Sequence, residues 1–150
     1  MLNLSKKILV AIDGSPQSDK AAEEAIRLAR ASGTRFKSKV YAILVLPGAR
    51  EPSFTDFFPS PPATERSDWE EKCKRIFYVV EKAAAEAEVP LNVEVVYGDA
   101  AEEILAFSEQ EAIDVIVIGS SGTGRVKRAF LGSVSTKVSL NARCSVYIVR

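Results

Sequence analysis

The apolar run Ile113–Ile118 (IDVIVI) is followed at once by GSSGTGRVKRAFLGS, residues Gly119 to Ser133. Gly119, Gly122 and Gly124 come first, then the cations Arg125, Lys127 and Arg128, then a second Gly-Ser pair, Gly132-Ser133, at the start of a helical pattern. Amides freed by glycine, joined to a helix N-terminus, make an anion site. Gly122 and Gly132 carry no side chain to block a phosphate, and Ser133 stands where a helix cap and an anion site coincide. The three cations concentrate positive charge beside that site. They also fit a solvated loop, and both readings stand at this stage.

Two familiar phosphate motifs fail on their details. A P-loop requires G-x-x-x-x-G-K-[ST], and here Arg125 and Val126 replace its lysine and hydroxyl. A dinucleotide fingerprint requires G-x-G-x-x-G after the first strand, with an acid about 20 residues on. The glycines here follow the fourth strand, as G-x-x-G-x-G.

The chain contains 0 histidines, which removes the commonest general base and every Ser-His or Cys-His triad. Chemistry would fall to carboxylates, lysines or a bound metal. Twenty Lys+Arg balance 20 Asp+Glu, so no global field draws nucleic acid or a membrane surface. No apolar run has the length of a membrane span, and the apolar stretch near the N-terminus is too short for a secretory leader. A cytoplasmic location is the expectation. Cys73 and Cys144 form no motif and read as two separate thiols.

Strand and helix patterns alternate along the 150 residues, which reads as one domain, 1–150. The first strand is Lys7–Ile12, broken by Asp13-Gly14. Ser15 suits a helix cap and Pro16 the first turn of the helix that follows, which ends at Gly33. Asp13 then has two readings, a turn residue capping that helix or a ligand group at a strand end. A second strand lies within Phe36–Leu46. Residues 47–64, rich in proline and phenylalanine, read as a surface loop: its aromatics pack back on the domain, or it forms a lid or partner surface. A helix runs from Glu65 to about Glu88, a strand over Leu91–Tyr97, a helix over Ala101–Ala112, a strand over Asp114–Ile118, a short helix through Val134 and Val138, and a last strand over Ser145–Val149. This order builds an α/β fold, an open five-stranded parallel sheet with helices on both faces. Ligands of such sheets sit at the carboxyl ends of the strands.

The spacing Gly119-x2-Gly122-x9-Gly132-Ser133 resembles the G-2x-G-9x-G-[S/T] signature of the universal stress protein family, in its ATP-binding branch. The opening KILVAIDGS (Lys7–Ser15), Leu131-Gly-Ser-Val-Ser135 and the closing CSVYIV (Cys144–Val149) resemble the family as well. The likeness covers essentially the whole chain except 47–64. One departure is Ser145, where the family often has proline. The resemblance implies a Rossmann-like sheet of the adenine nucleotide alpha hydrolase type, with strand order 3-2-1-4-5. It implies an ATP site: Ala11 and Val45 lining the adenine pocket, Asp13 near the ribose or adenine, and Ile118 and Gly119 approaching the ribose. Gly122, Gly132, Ser133, Val134 and Ser135 would hold the phosphates beside Arg125 and Lys127, and the triphosphate would carry magnesium or manganese. It further implies a homodimer through the terminal strand, with protein partners unspecified.

The expected function is a nucleotide-dependent regulatory or stress-response role with slow hydrolysis or none. An ATP-hydrolysing or adenylating enzyme of the same fold group is the alternative, and a nucleotide-free interaction module is a weaker third reading.

Overall fold

The alternating apolar patterns fold as β1 (Lys7–Ala11), α1 (Pro16–Ala31), β2 (Lys39–Leu46), α2 (Ala63–Ala87), β3 (Leu91–Tyr97), α3 (Ala100–Gln110), β4 (Val115–Gly119), α4 (Ser133–Asn141) and β5 (Ser145–Val149). The structure, a computed structural model, describes residues 5–32, 38–48, 63–121 and 131–150, with backbone only for 63–69. All strand pairs are parallel and the sheet order is β3-β2-β1-β4-β5, as the resemblance implied.

Alternation along the central strands divides the core into two layers. Ile8, Val10 and Ile12 face α1 and α2 together with Val40, Ala42 and Leu44. Leu9, Tyr41, Ile43, Ile116 and Ile118 face α3 and α4. Helix α1 presents Ala21, Ala22, Ala25 and Ala29 to the sheet, and these short side chains let its backbone lie close. Phe77, Val80 and Ala84 of α2 complete that layer. On the other face Ile104 of α3 and Val138 of α4 are buried, and Phe107 meets Tyr41 edge-on at 5.7 Å. Central strands carry apolar residues on both faces because both faces are covered.

Several element ends differ from the sequence reading, among them the first strand, which stops at Ala11 rather than Ile12. Helix α2 begins at Ala63, so Ala63 and Thr64 are helical rather than loop. In the sequence Pro61 and Pro62 directly precede Ala63, and proline is tolerated at the start of a helix. Helix α3 runs Ala100–Gln110 and ends through a left-handed residue, Ala112 (φ 52), with no glycine to announce it. The second strand starts at Lys39, and the fourth at Val115. Asp114 instead secures the strand entrance: its Oδ2 accepts from the Lys7 amide at 2.8 Å.

Candidate functional site

β1 and β4 lie side by side, while β2 continues the sheet on one side and β5 on the other. Chain direction therefore splits at the carboxyl ends of β1 and β4, and a crevice opens between the two departing turns. A cleft of about 240 Å³ occupies that place. It is far larger than the ~10–15 Å³ that one water needs.

Nine of the residues singled out from the sequence line this cleft: Ala11, Asp13, Val45, Ile118, Gly119, Gly132, Ser133, Val134 and Ser135. Gly122, Arg125 and Lys127 lie outside the described residues, as does most of the 47–64 stretch. Ile12, Ser15, Ser18, Ile43, Ala100, Ile104 and Ser121 also line the cleft and were not anticipated. Strand alternation could have found Ile43, two residues before Val45 on the same face. Ala100 and Ile104 come from α3, and no local motif marks them.

The two halves of the glycine segment are tied together. The Gly132 amide donates to the Ser120 carbonyl at 2.7 Å, and the Ser120 amide donates to Val149 O at 2.8 Å. The buried Ser135 hydroxyl reaches both Ser120 O and Gly132 O at 3.0 Å. Ser135 is thus a tether whose hydroxyl proton is already engaged. A Cβ on Gly132 would stand 3.3 Å from Ser120 O, and one on Gly119 would stand 3.1 Å from Gln17 Cβ and 3.2 Å from Gln17 backbone atoms. Both glycines are needed for close backbone approach, Gly119 against the first turn of α1.

Helix caps separate α4 from its neighbours. α1 is capped by the Ser15 side chain and α3 by Asp99, each with acidic residues in its first turn. α4 has Gly132 as its cap residue, no side-chain cap bond and no first-turn acid. The first amides of a helix have no partner within it. Those of Ser133, Val134 and Ser135 belong to residues lining the cleft. The positive end of the α4 dipole therefore meets the cleft with no acidic residue in the helix's own first turn to answer it.

The cleft also has apolar walls, formed by Ala11, Ile43, Val45, Ile104 and Ile118, and β2 borders it on the side away from β4. The polar groups on that side come from the backbone of β2. Lys39 N bonds Lys6 O and Ile43 O accepts from Ile12 N, both on the β1 side. Val40 N and Leu46 O bond Pro90 and Gly98 on the β3 side. Odd residues thus face β1, and β1 ends at Ala11. Parity aims the Val45 N–H and C=O into the gap beyond it, a donor and an acceptor side by side.

Asp13 takes the turn role and also stands in the cleft wall. Its Oδ1 accepts from the Ser15 amide at 2.9 Å, closing the turn before α1, while its own amide donates to Ser18 Oγ at 3.3 Å. It also lines the cleft, exposed to solvent. Nearby, burial holds the Asp19 carboxyl above its ordinary value, and the charges of Glu23 and Asp13 add to that effect. Among the described residues no group of three His, Cys, Asp or Glu side chains forms a metal cage. Both cysteines are free, and burial raises both thiols.

Residues 5–150 match the model of the universal stress protein family. A universal stress protein of Methanocaldococcus jannaschii is 34% identical over 155 residues, covering 99% of this chain and 84% of that protein. One of Thermus aquaticus is 37% identical over 150 residues, covering 97% and 98%. Among solved structures, UspA of Lactobacillus plantarum superposes with a TM-score of 0.74 at 23% identity, covering 100% of both chains. A universal stress protein in complex with cAMP gives 0.68 at 20% identity, covering 97% of each chain. One of Archaeoglobus fulgidus in complex with dAMP gives 0.65 at 20%, covering 98% and 99%.

Proposed function

This chain belongs to the universal stress protein family, and we propose that it binds an adenine nucleotide, ATP in particular, as a regulatory ligand. The observation that carries this reading is a single cleft with two chemically different sides. One side is an apolar wall with the Val45 N–H and C=O facing it, and the other is the uncapped N-terminus of α4. A flat heteroaromatic base suits the first side, since adenine presents an acceptor beside a donor on one edge. A phosphate suits the second. That two proteins of the same fold hold cAMP and dAMP supports the choice of adenine.

In this reading Ala11, Val45 and Ile118 contact the base and ribose, and Asp13 stands beside the ribose. Gly132, Ser133 and Val134 receive phosphate through their amides, with Gly122, Arg125 and Lys127 completing the cradle. The residues present fit magnesium or manganese only as an ion shared between Asp13 and the phosphates, since Mg²⁺ commonly takes one or two carboxylates plus substrate phosphate. When bound, the ion would neutralise phosphate charge. Among the described residues, Ser15, Ser18 and Asp13 are already engaged in the turn before α1, which favours occupancy over turnover as the signal. We further propose that the chain works in the cytoplasm as a homodimer joined through β5. β5 is an edge strand with Tyr147 39% exposed on its α1 face, and Leu140 of α4, on the other face of the sheet, is 79% exposed, which leaves apolar surface for a second copy.

Thermal unfolding with AMP, ADP, ATP and GTP tests the reading, alongside a phosphate-release assay. ATP at 100 times its Kd is expected to stabilise the fold by about 2.7 kcal/mol by mass action, with negligible turnover. Absence of stabilisation by every adenine nucleotide rejects the reading, and multiple turnovers abolished by Asp13→Ala would replace regulation with catalysis.

A further inference from the structure

Among the described residues, Lys137 is a cation on α4 within about one helical turn of Ser133 and Val134, which line the cleft. It lies four residues after Ser133 and three after Val134 on α4, so all three share one helix face. Helical side chains lean toward the helix N-terminus, over the preceding turn. Lys137 thus extends toward the turn whose amides open on the cleft. Its ammonium sits between helices: Nζ is 3.3 Å from Glu102 Oε1 and 3.5 Å from Asp99 Oδ1. Asp99 directly precedes Ala100, which lines the cleft from the α3 side. The ion pairs therefore pin the ammonium at the rim where the first turns of α3 and α4 meet.

The pins are weak ones. Lys137, Asp99 and Glu102 side chains are all about half exposed or more, at 46%, 57% and 68%, and pairs of that kind contribute little. Asp99 does not depend on Lys137 for its place, because its Oδ1 already accepts from the Glu102 amide at 3.0 Å. The lysine can leave while the α3 cap remains. A phosphate offers an ammonium a stronger, charge-assisted bond than a solvated carboxylate does.

We propose that Lys137 reads the length of the phosphate chain: it leaves Glu102 and Asp99 to bind the terminal phosphate of a di- or triphosphate, and a monophosphate does not reach it. This rests on the nucleotide reading above and adds to it a residue that separates ATP from AMP. With Lys137 withdrawn from between them, Asp99 and Glu102 would repel each other and the phosphates, so the exchange also loosens the α3–α4 rim.

Calorimetric titration of the full chain with AMP and with ATP, at low and at high salt, tests it in four forms: wild type, Lys137→Gln, Lys137→Arg and Glu102→Gln. Lys137→Gln is expected to weaken ATP about five- to tenfold, the strength of a charged hydrogen bond less that of the exposed pairs given up, and to leave AMP within twofold. Lys137→Arg should restore most of the ATP affinity. Glu102→Gln, which removes a competing anion and no cap, should strengthen ATP alone. Equal changes in AMP and ATP, or no change in either, would make Lys137 a plain tether between α3 and α4 and overturn the proposal while leaving the nucleotide site standing. A wild type that binds neither nucleotide overturns both.

Discussion

Gly119 shows how much one missing side chain decides. Its neighbour across the cleft is not a flexible tip but the Gln17 backbone, 3.2 Å from where a Cβ would lie. Alanine there must push α1 away from β4, and α1 carries Ser15 and Ser18 on the cleft wall. Gly119→Ala should therefore destabilise the fold by about 1–3 kcal/mol, the usual cost of overpacking, and weaken nucleotide binding with it. Urea midpoints at fixed pH check this, and an unchanged midpoint would show that α1 accommodates the methyl freely. Gly132 differs, because its backbone (φ -63, ψ 161) suits any residue and only the approach to Ser120 O requires glycine. Ser135 illustrates a limit of sequence reading. The family resemblance implies a phosphate contact at Ser135, and the structure adds that its hydroxyl binds two carbonyls, a tertiary role that leaves no local trace in the sequence.

The helices around the cleft use their N-termini in two ways. α1 and α3 satisfy their own amides with Ser15 and Asp99, whereas α4 leaves its first turn open. The Asp99 carboxyl is held below its ordinary value, first by the Glu102 amide and further by the attraction of Lys137. A depressed carboxyl stabilises the fold above its unfolded pKa, and that contribution is lost as pH falls through the lower folded value. Asp99→Asn keeps a capping side chain without the titration. Its stability should thus vary less than wild type between roughly pH 5 and 2, read as the slope of unfolding midpoint against pH, and parallel curves would contradict the assignment. The elements themselves were legible where period and punctuation agree: Ser15-Pro16 gave the start of α1, and Leu91–Tyr97 and Ser145–Val149 matched to the residue. The end of α3 was not legible, since Ala112 adopts φ 52 without being glycine or asparagine. Nor was its share of the cleft: Ala100 and Ile104 reach the site only because α3 packs on β2 beside Tyr41 and Ile43.

At the scale of the molecule, parallel topology converts two separate turns into one site. Asp13 and Gly119 are more than a hundred residues apart in sequence, and adjacent strands bring them to the same cleft. The sheet also ends in two unequal edges. β3 presents Val93, Val95 and Tyr97 exposed, and β5 presents Tyr147 on the face that carries α1. If β5 joins two copies, sedimentation at micromolar concentration should show a dimer that Tyr147→Glu converts to monomer; a monomeric wild type would remove the dimer from the account. The central claim is that one cleft holds a base at Val45 and phosphate at the start of α4. Amide NMR titration reads both sides at once. ATP should shift the amide resonances of Val45 and of Ser133, Val134 and Ser135 together, while adenosine, which has no phosphate, should shift Val45 and leave the α4 amides in place. Saturating ATP that moves neither group, or adenosine that moves the α4 amides as far as ATP does, would contradict the site.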